Sequence, residues 1–339
     1  MRKYLSVGIM ALMLILILAA CGEKSKEDVV SKLEENLEKM DGYKAEAVMS
    51  LKTGKESQSY NIEISHKKKN YYRVLLKNEQ NEEGSQIILR NDDGVFVLTP
   101  ALNKSFKFQS KWPDNSSQPY LYQSLVKDVL NDSQSEFKST DKHYVFETAT
   151  NYQNSNSLPY QEIYFDKKTF TPAKVKVLDK DKNPLVEVKF SAFKLDPEFA
   201  KDEFKVEKNM TSSIFGVPAA SQEESEVKEF SVFYPMETAG AELAETSETE
   251  TENGKRVILT YKGDKNFTLV QEKVETSPAS ASPEQVNGDP VSLGFTMGAL
   301  KASSLEWSYN GVNYYLASDE LTKSELVDVA SSVQGQQVK

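Results

Sequence analysis

From Tyr43 onward the chain alternates apolar and polar residues, a period of two that commits it to strands with one buried and one solvated face. Tyr43, Ala45, Ala47, Met49 and Leu51 alternate with polar neighbours, and Tyr60, Ile62 and Ile64 do the same after a Lys-Thr-Gly-Lys turn. The pattern recurs over residues 71–76, 86–90 and 95–99, with Asn91-Asp92-Asp93-Gly94 as a turn between the last two, and again at Phe106 and Phe108. Residues 142–148, 161–166, 173–179 and 185–193 complete about ten strands, and the short connections between them force antiparallel pairing. Two segments have the helical period instead. Val30, Leu33, Leu37 and Met40 recur after Ser25 as N-cap and before Gly42 as a stop, and Tyr120, Leu121, Leu125, Val126 and Val129 follow Pro119. One meander with two helices gives a curved antiparallel sheet whose apolar concave face must be covered. The helices are the available cover, leaving a hydrophobic hollow.

Ahead of this body, Arg2 and Lys3 precede an apolar run over residues 7–18, which ends in Leu18-Ala19-Ala20-Cys21. These are the three regions of a secretory signal, followed at once by a thiol suited to thioether attachment of a diacylglycerol. The apolar run falls short of the roughly 20 residues of a membrane span. Cys21 is the only cysteine, so it has no disulfide partner within the chain and lipidation is its expected use. The expectation is cleavage before Cys21 and anchorage, through acyl chains such as palmitate, on the extracytoplasmic face of the cell membrane.

The chain has 339 residues, 41 basic and 51 acidic. Loss of Arg2 and Lys3 with the signal leaves 39 basic side chains and a net charge of −12. Ten glutamates against Lys228 between Glu223 and Glu252 account for −9 of it. Such a chain repels nucleic acid and anionic headgroups, so neither is an expected ligand. The length suits two domains. The expected division is a signal at 1–20, the curved-sheet domain at 21–209, a linker at 210–228 and a smaller α+β domain at 229–339. In the last, residues 230–234, 256–261 and 267–273 are expected strands, the acidic stretch a solvated loop, and residues 277–290 another loop. Residues 305–309 and 312–316 flank Asn310-Gly311, a type I′ hairpin signal. Thr322 and Glu325 then form a capping box, with Leu321 and Leu326 placed as a hydrophobic staple.

The stretches VFVLTP and ALNKSFKF over 95–108, WP at 112–113 and PYLYQSL over 119–125 resemble the LolA-like lipoprotein-carrier superfamily, in its sporulation-lipoprotein branch of the YdcC type. The closing Phe193-Lys194-Leu195-Asp196-Pro197 and Phe204 resemble that family's last turn. The similarity implies an α+β fold with an unclosed antiparallel β half-barrel covered by helices, which holds acyl chains, lipoproteins or protein partners. It also implies a role in spore formation or germination. Soluble carriers of the family lack an anchor, and Cys21 departs from that, favouring a fixed adaptor over a shuttle. Trp307, Gly311, Tyr314 and Tyr315 with the following helix resemble small α+β domains of extracytoplasmic regulatory proteins in spore formers.

Little in the chain suggests catalysis or a cofactor. His66 and His143 are the only histidines and are read as exposed strand ends. There is no nucleophile elbow and no phosphate-cradling glycine loop. Asp179, Asp181 and Asn183 imitate the start of a calcium loop, but Pro184 stands where glycine is needed and Phe190 where a bidentate glutamate belongs, which leaves a charged turn. Lys67, Lys68, Lys69 and Arg73, interleaved with Tyr71 and Tyr72, form the one basic cluster that suits an anionic partner. Two readings stay open. One is an anchored protein that binds an envelope protein or acylated ligand, and the other is a lipid or lipoprotein carrier. A cell-wall enzyme is the least supported.

Overall fold

The computed structural model describes residues 24–53, 56–78, 84–108, 110–114, 116–211, 232–251, 254–273, 284–286, 288–309 and 311–333. Cys21, most of the expected linker and Asn310 lie outside them.

Helix α1 (Lys26–Lys39) starts where Ser25 Oγ accepts from the Asp28 amide and Asp28 Oδ2 accepts from the Ser25 amide, a reciprocal box that satisfies two end donors. Six strands follow: β1 (Gly42–Thr53), β2 (Glu56–Lys67), β3 (Tyr71–Asn78), β4 (Gln86–Asn91), β5 (Gly94–Thr99) and β6 (Lys104–Phe108). After α2 (Tyr122–Asn131) come β7 (Glu136–Ser139), β8 (His143–Ala149), β9 (Tyr160–Asp166), β10 (Pro172–Leu178) and β11 (Pro184–Leu195). The strands form two meanders rather than the single one expected. β1 pairs with both β2 and β11, so β6 and β7 lie towards opposite edges of a 12-stranded sheet. The chain must cross from one side to the other between them, and α2 lies on that crossing.

Alternation sets what faces inward. Tyr43, Ala45, Ala47, Met49 and Leu51 on β1 and Tyr60, Ile62, Ile64 and His66 on β2 are all buried. The ring of Tyr43 stacks on Phe193 at 4.8 Å and meets the edge of Tyr122 at 6.2 Å, while its hydroxyl accepts from the Tyr122 amide at 3.2 Å. The start of α2 is thereby pinned to β1. Val29 and Leu33 of α1 and Leu125, Val126 and Val129 of α2 complete the cover.

β3 to β5 read as continuous apolar runs because both of their faces are covered. Leu75, Ile87, Leu89, Phe96 and Leu98 point to the convex side and pack with Phe204, Phe199, Val206 and Met210. This tail, including α3 (Val206–Asn209), folds back across the outside of the sheet.

The second sheet contains β12 (Ala241–Thr251), β13 (Gly254–Gly263), β14 (Phe267–Lys273), β16 (Asp289–Ser292), β17 (Met297–Leu300), β18 (Ser304–Tyr309) and β19 (Val312–Ala317) in the order 12-13-14-19-18-17-16, with α4 (Lys323–Ser331) packed on β18 and β19. The whole is α+β, an unclosed half-barrel under helices followed by a smaller sheet with its own helix. Thr322 and Glu325 cap α4 as expected.

Three local expectations fail. Part of the acidic stretch is strand β12, registered on β13 from Ala241 opposite Gly263 to Thr251 opposite Gly254. Its residues 242–250 are exposed, so apolar periodicity had nothing to report. Of the strand expected at 230–234, residues 230–231 lie outside the described residues and Phe233 forms only an isolated bridge, where its N donates to Gln271 Oε1 at 2.9 Å and Gln271 Nε2 donates to Phe233 O at 2.6 Å. The loop expected at 277–290 contains β15 (Glu284–Val286), which pairs parallel with β6, and the start of β16, where Pro290 is tolerated on an edge strand.

Candidate functional site

The basic cluster is not gathered into a pocket. Lys67 ends β2, and Lys68 and Lys69 form the turn into β3, where Lys69 and Asn70 adopt positive φ angles of 76° and 68°. Lys68 Nζ donates to the Glu38 carbonyl at 3.1 Å and lies 3.6 Å from Asp41, which ties the turn to the end of α1. Arg73 is turned to the convex side, where Nε donates to Asn209 Oδ1 at 2.7 Å and Nη1 lies 3.5 Å from Glu63. Lys67 and Lys69 are exposed. His66, expected at an exposed strand end, is buried on the concave side, because β2 continues to Lys67 and residue 66 shares the parity of Ile62 and Ile64. Asp179 has the turn role expected of it, with Oδ1 accepting from the amides of Asp181 and Asn183.

Buried and partly buried polar contacts link the two sheets where they meet. Tyr309 at the end of β18 reaches into the first sheet, where its hydroxyl accepts from Asn78 Nδ2 at 2.9 Å and lies 3.3 Å from the Tyr60 hydroxyl. Burial, with Tyr309 alongside, holds the Tyr60 phenol far above its ordinary range. Gln86 Oε1 accepts from the Met297 amide at 3.0 Å. On the far side of the junction Asp328 of α4 accepts from Asn154 Nδ2 at 3.1 Å and Ser157 Oγ at 2.9 Å, both in the β8–β9 connection. Burial raises the Asp328 carboxyl, with Glu237 and Glu325 adding to the effect.

Two cavities flank this junction. One of about 220 Å³ lies beside β6, between Phe106, Phe108, Met297, Trp307 and Tyr314. The other, about 330 Å³ and open to solvent, is lined by Met49, Leu51, Tyr120, Val177 and Leu293, with Asp328 and Glu237 also in its lining. Tyr152 also lines the larger one, and its buried hydroxyl has no hydrogen-bond partner among the described residues. Behind it, Asp128 accepts from Gln161 Nε2 at 2.7 Å and Ser117 Oγ at 3.1 Å, and burial pushes its carboxyl up to about 6. A cavity of this size stands at the lower end of the ~300–1,000 Å³ usual for small-ligand sites. It suits a side-chain-sized apolar group.

Sequence reasoning did not single out these junction residues. Asp328 left a trace, since it is a carboxylate amid Leu326, Val327, Val329 and Ala330 on a helix packed against a sheet. Asn78, Tyr60 and Tyr309 left none, because each reads as an ordinary strand residue until the two sheets are placed together.

The model of the sporulation protein YdcC-like family matches residues 1–204. Sporulation protein YdcC of Bacillus subtilis (strain 168) is 50% identical over 339 residues, covering 100% of this chain and 99% of that relative. Among solved structures, the MucA/MucB complex of Pseudomonas aeruginosa contains a chain 13% identical, with 88% of this chain and 95% of that one covered at a TM-score of 0.35. A LolA superfamily protein from Nitrosomonas europaea is 12% identical, with 54% of this chain and 98% of that one covered at a TM-score of 0.30.

Proposed function

The chain belongs to the sporulation protein YdcC-like family, and from that premise we propose that it is a lipid-anchored, non-catalytic binding protein, held by Cys21 on the outer face of a membrane, that engages an envelope partner during spore formation. The observation that carries this reading is the filled concave face. Val29, Leu33, Tyr43, Tyr122, Leu125 and Phe165 are all buried in one continuous core that runs on into the second sheet through Leu293, Phe295 and Tyr309. An interior so occupied favours an adaptor that presents a surface and a small recess over a carrier that swallows acyl chains. The anchor rests on the n-region, the apolar run and the Leu-Ala-Ala-Cys ending in the sequence.

The test is Cys21→Ser in a spore-forming host that lacks its own copy. An anchored adaptor loses its membrane fraction and its contribution to spore formation together. Full complementation by the released protein would overturn the reading. Native mass spectrometry of the full chain released from native-membrane nanodiscs addresses the carrier alternative. An adaptor shows no stoichiometric non-covalent acyl adduct, and a carrier shows one.

A further inference from the structure

The 330 Å³ cavity between the sheets has apolar walls and an acidic border without a counter-ion. Met49, Leu51, Tyr120, Val177 and Leu293 supply hydrocarbon and ring surface from both sheets. At the border Asp328 is held by two neutral donors, Asn154 and Ser157, and no cation pairs with it among the described residues. Glu237 stands exposed beside Met236, which is 50% exposed at the same border. Lys52 also lines the cavity, but its side chain is exposed and forms no ion pair with either carboxylate. Burial already drives the Asp328 carboxyl upward, so a cation placed there relieves a standing electrostatic cost. Four residues beyond Glu237, β12 begins, with Glu242, Glu245 and Glu250 exposed and Glu248 paired with Lys255 at 2.7 Å.

We propose that this cavity receives a lysine side chain together with an aliphatic side chain two residues away on the same face of an extended segment of a partner protein, the aliphatic group filling the apolar walls and the ammonium donating to Asp328 with Glu237 at the mouth. The inference rests on the adaptor reading only in taking the ligand to be a protein segment. It adds the chemistry of the partner and the place where it enters. Apolar burial supplies the affinity, and the partly buried Asp328 carboxylate supplies the choice of cation over anion or neutral group.

The test uses the full chain in phosphatidylcholine nanodiscs, whose headgroups have no net charge, and fluorescently labelled peptides with the cores Leu-Ser-Lys, Leu-Ser-Glu and Leu-Ser-norleucine, in which the first and third side chains share a face when extended. Anisotropy titration is expected to show the lysine peptide binding at least about tenfold more tightly than the other two, in line with a desolvated charge pair. Asp328→Asn, which retains an acceptor, should reduce the lysine preference over norleucine to the severalfold that Glu237 alone supplies. Leu185 also lines the cavity, and Leu185→Trp, which fills it from that wall, should weaken all three. Glu237→Gln, at an exposed position and with a side-chain oxygen retained to accept from the Ala239 amide, should lower the lysine preference severalfold and keeps the test decisive if an Asp328 variant misfolds. Equal binding of the three peptides, a lysine preference undiminished by either carboxylate change, or no binding by the folded wild-type chain would each overturn the proposal. If Cys21→Ser still abolishes function while the peptides fail, the anchored adaptor stands and the cavity assignment falls.

Discussion

At the scale of the residue, His66 shows how a one-residue difference in strand length changes a side chain's chemistry. Its ring lies between Tyr43 at 5.4 Å and Tyr72 at 4.5 Å, and Nδ1 is 3.1 Å from the Tyr71 carbonyl. Burial lowers its pKa to about 4, with the Tyr71 hydrogen bond opposing that only in part. The unfolded chain takes up this proton near the ordinary value of 6.5, and the folded chain only near 4. Between those values the unfolded state binds more protons, so stability falls as the pH drops through the window. The expected loss from this group is roughly 2 kcal/mol between about pH 7.5 and about pH 5. Urea denaturation at the two pH values measures it: His66→Phe, which retains an aromatic ring and removes the titration, should lose that much less stability than wild type. An identical pH dependence in the two proteins would show that His66 is protonated in the folded state. The burial was legible in principle, since His66 has the parity of Ile62 and Ile64. The lysines that follow it pointed to solvent, and β2 keeps its alternation up to the first of them.

At the scale of the element, apolar periodicity identified what packs and missed what does not. α1, α2, α4 and the β18–β19 hairpin each present a buried stripe with caps or a turn signal at the ends, and the strands of the first sheet announce themselves by alternation. β12 has hydrogen-bonded pairing without a buried face, and charged side chains on such an edge discourage further pairing. That made it invisible to a reading based on burial. The phase of α1 is a finer error of the same kind. The stripe through Val30, Leu33, Leu37 and Met40 is rotated, so that Val29 and Leu33 are fully buried while Val30 and Leu37 pack only in part. Both phases contain Leu33, but they disagree about residues 29 and 30. With the observed phase, Leu33→Ala should cost roughly 2–5 kcal/mol as a buried large-to-small change. Val29→Ala should cost at least twice as much as Val30→Ala. Chemical denaturation of the three variants decides it, and equal losses at 29 and 30 would favour a helix rolled about its axis.

At the scale of the whole molecule, two sheets joined through a stretch near residues 210–228 suggest two independent folding units, as does the expected division at 209 and 229. The packing argues for one. A single apolar core runs from Val29 under α1 through Leu51 and Tyr60 to Phe295, Tyr309 and Val333. The junction adds directional bonds between the halves at Tyr309 with Asn78, at Met297 with Gln86, and at Asp328 with Asn154 and Ser157. Interfaces between weakly coupled domains are mostly polar and permit relative motion, whereas this one shares buried side chains with both cores. Separating the halves would expose Leu51, Tyr60 and Phe295 and leave buried polar groups at the junction without their cross-sheet partners, a cost large enough to couple the two unfolding events. Calorimetry of the full chain is therefore expected to give one transition whose van't Hoff and calorimetric enthalpies agree. Tyr309→Phe removes the hydroxyl that serves Asn78 and Tyr60, and it should destabilise the protein by about 1–3 kcal/mol while moving the single transition as a whole. Two resolved transitions in the wild type, or a Tyr309→Phe variant in which only part of the enthalpy shifts, would mean that the sheets fold separately. The junction would then be a docking contact, free to open when a partner binds.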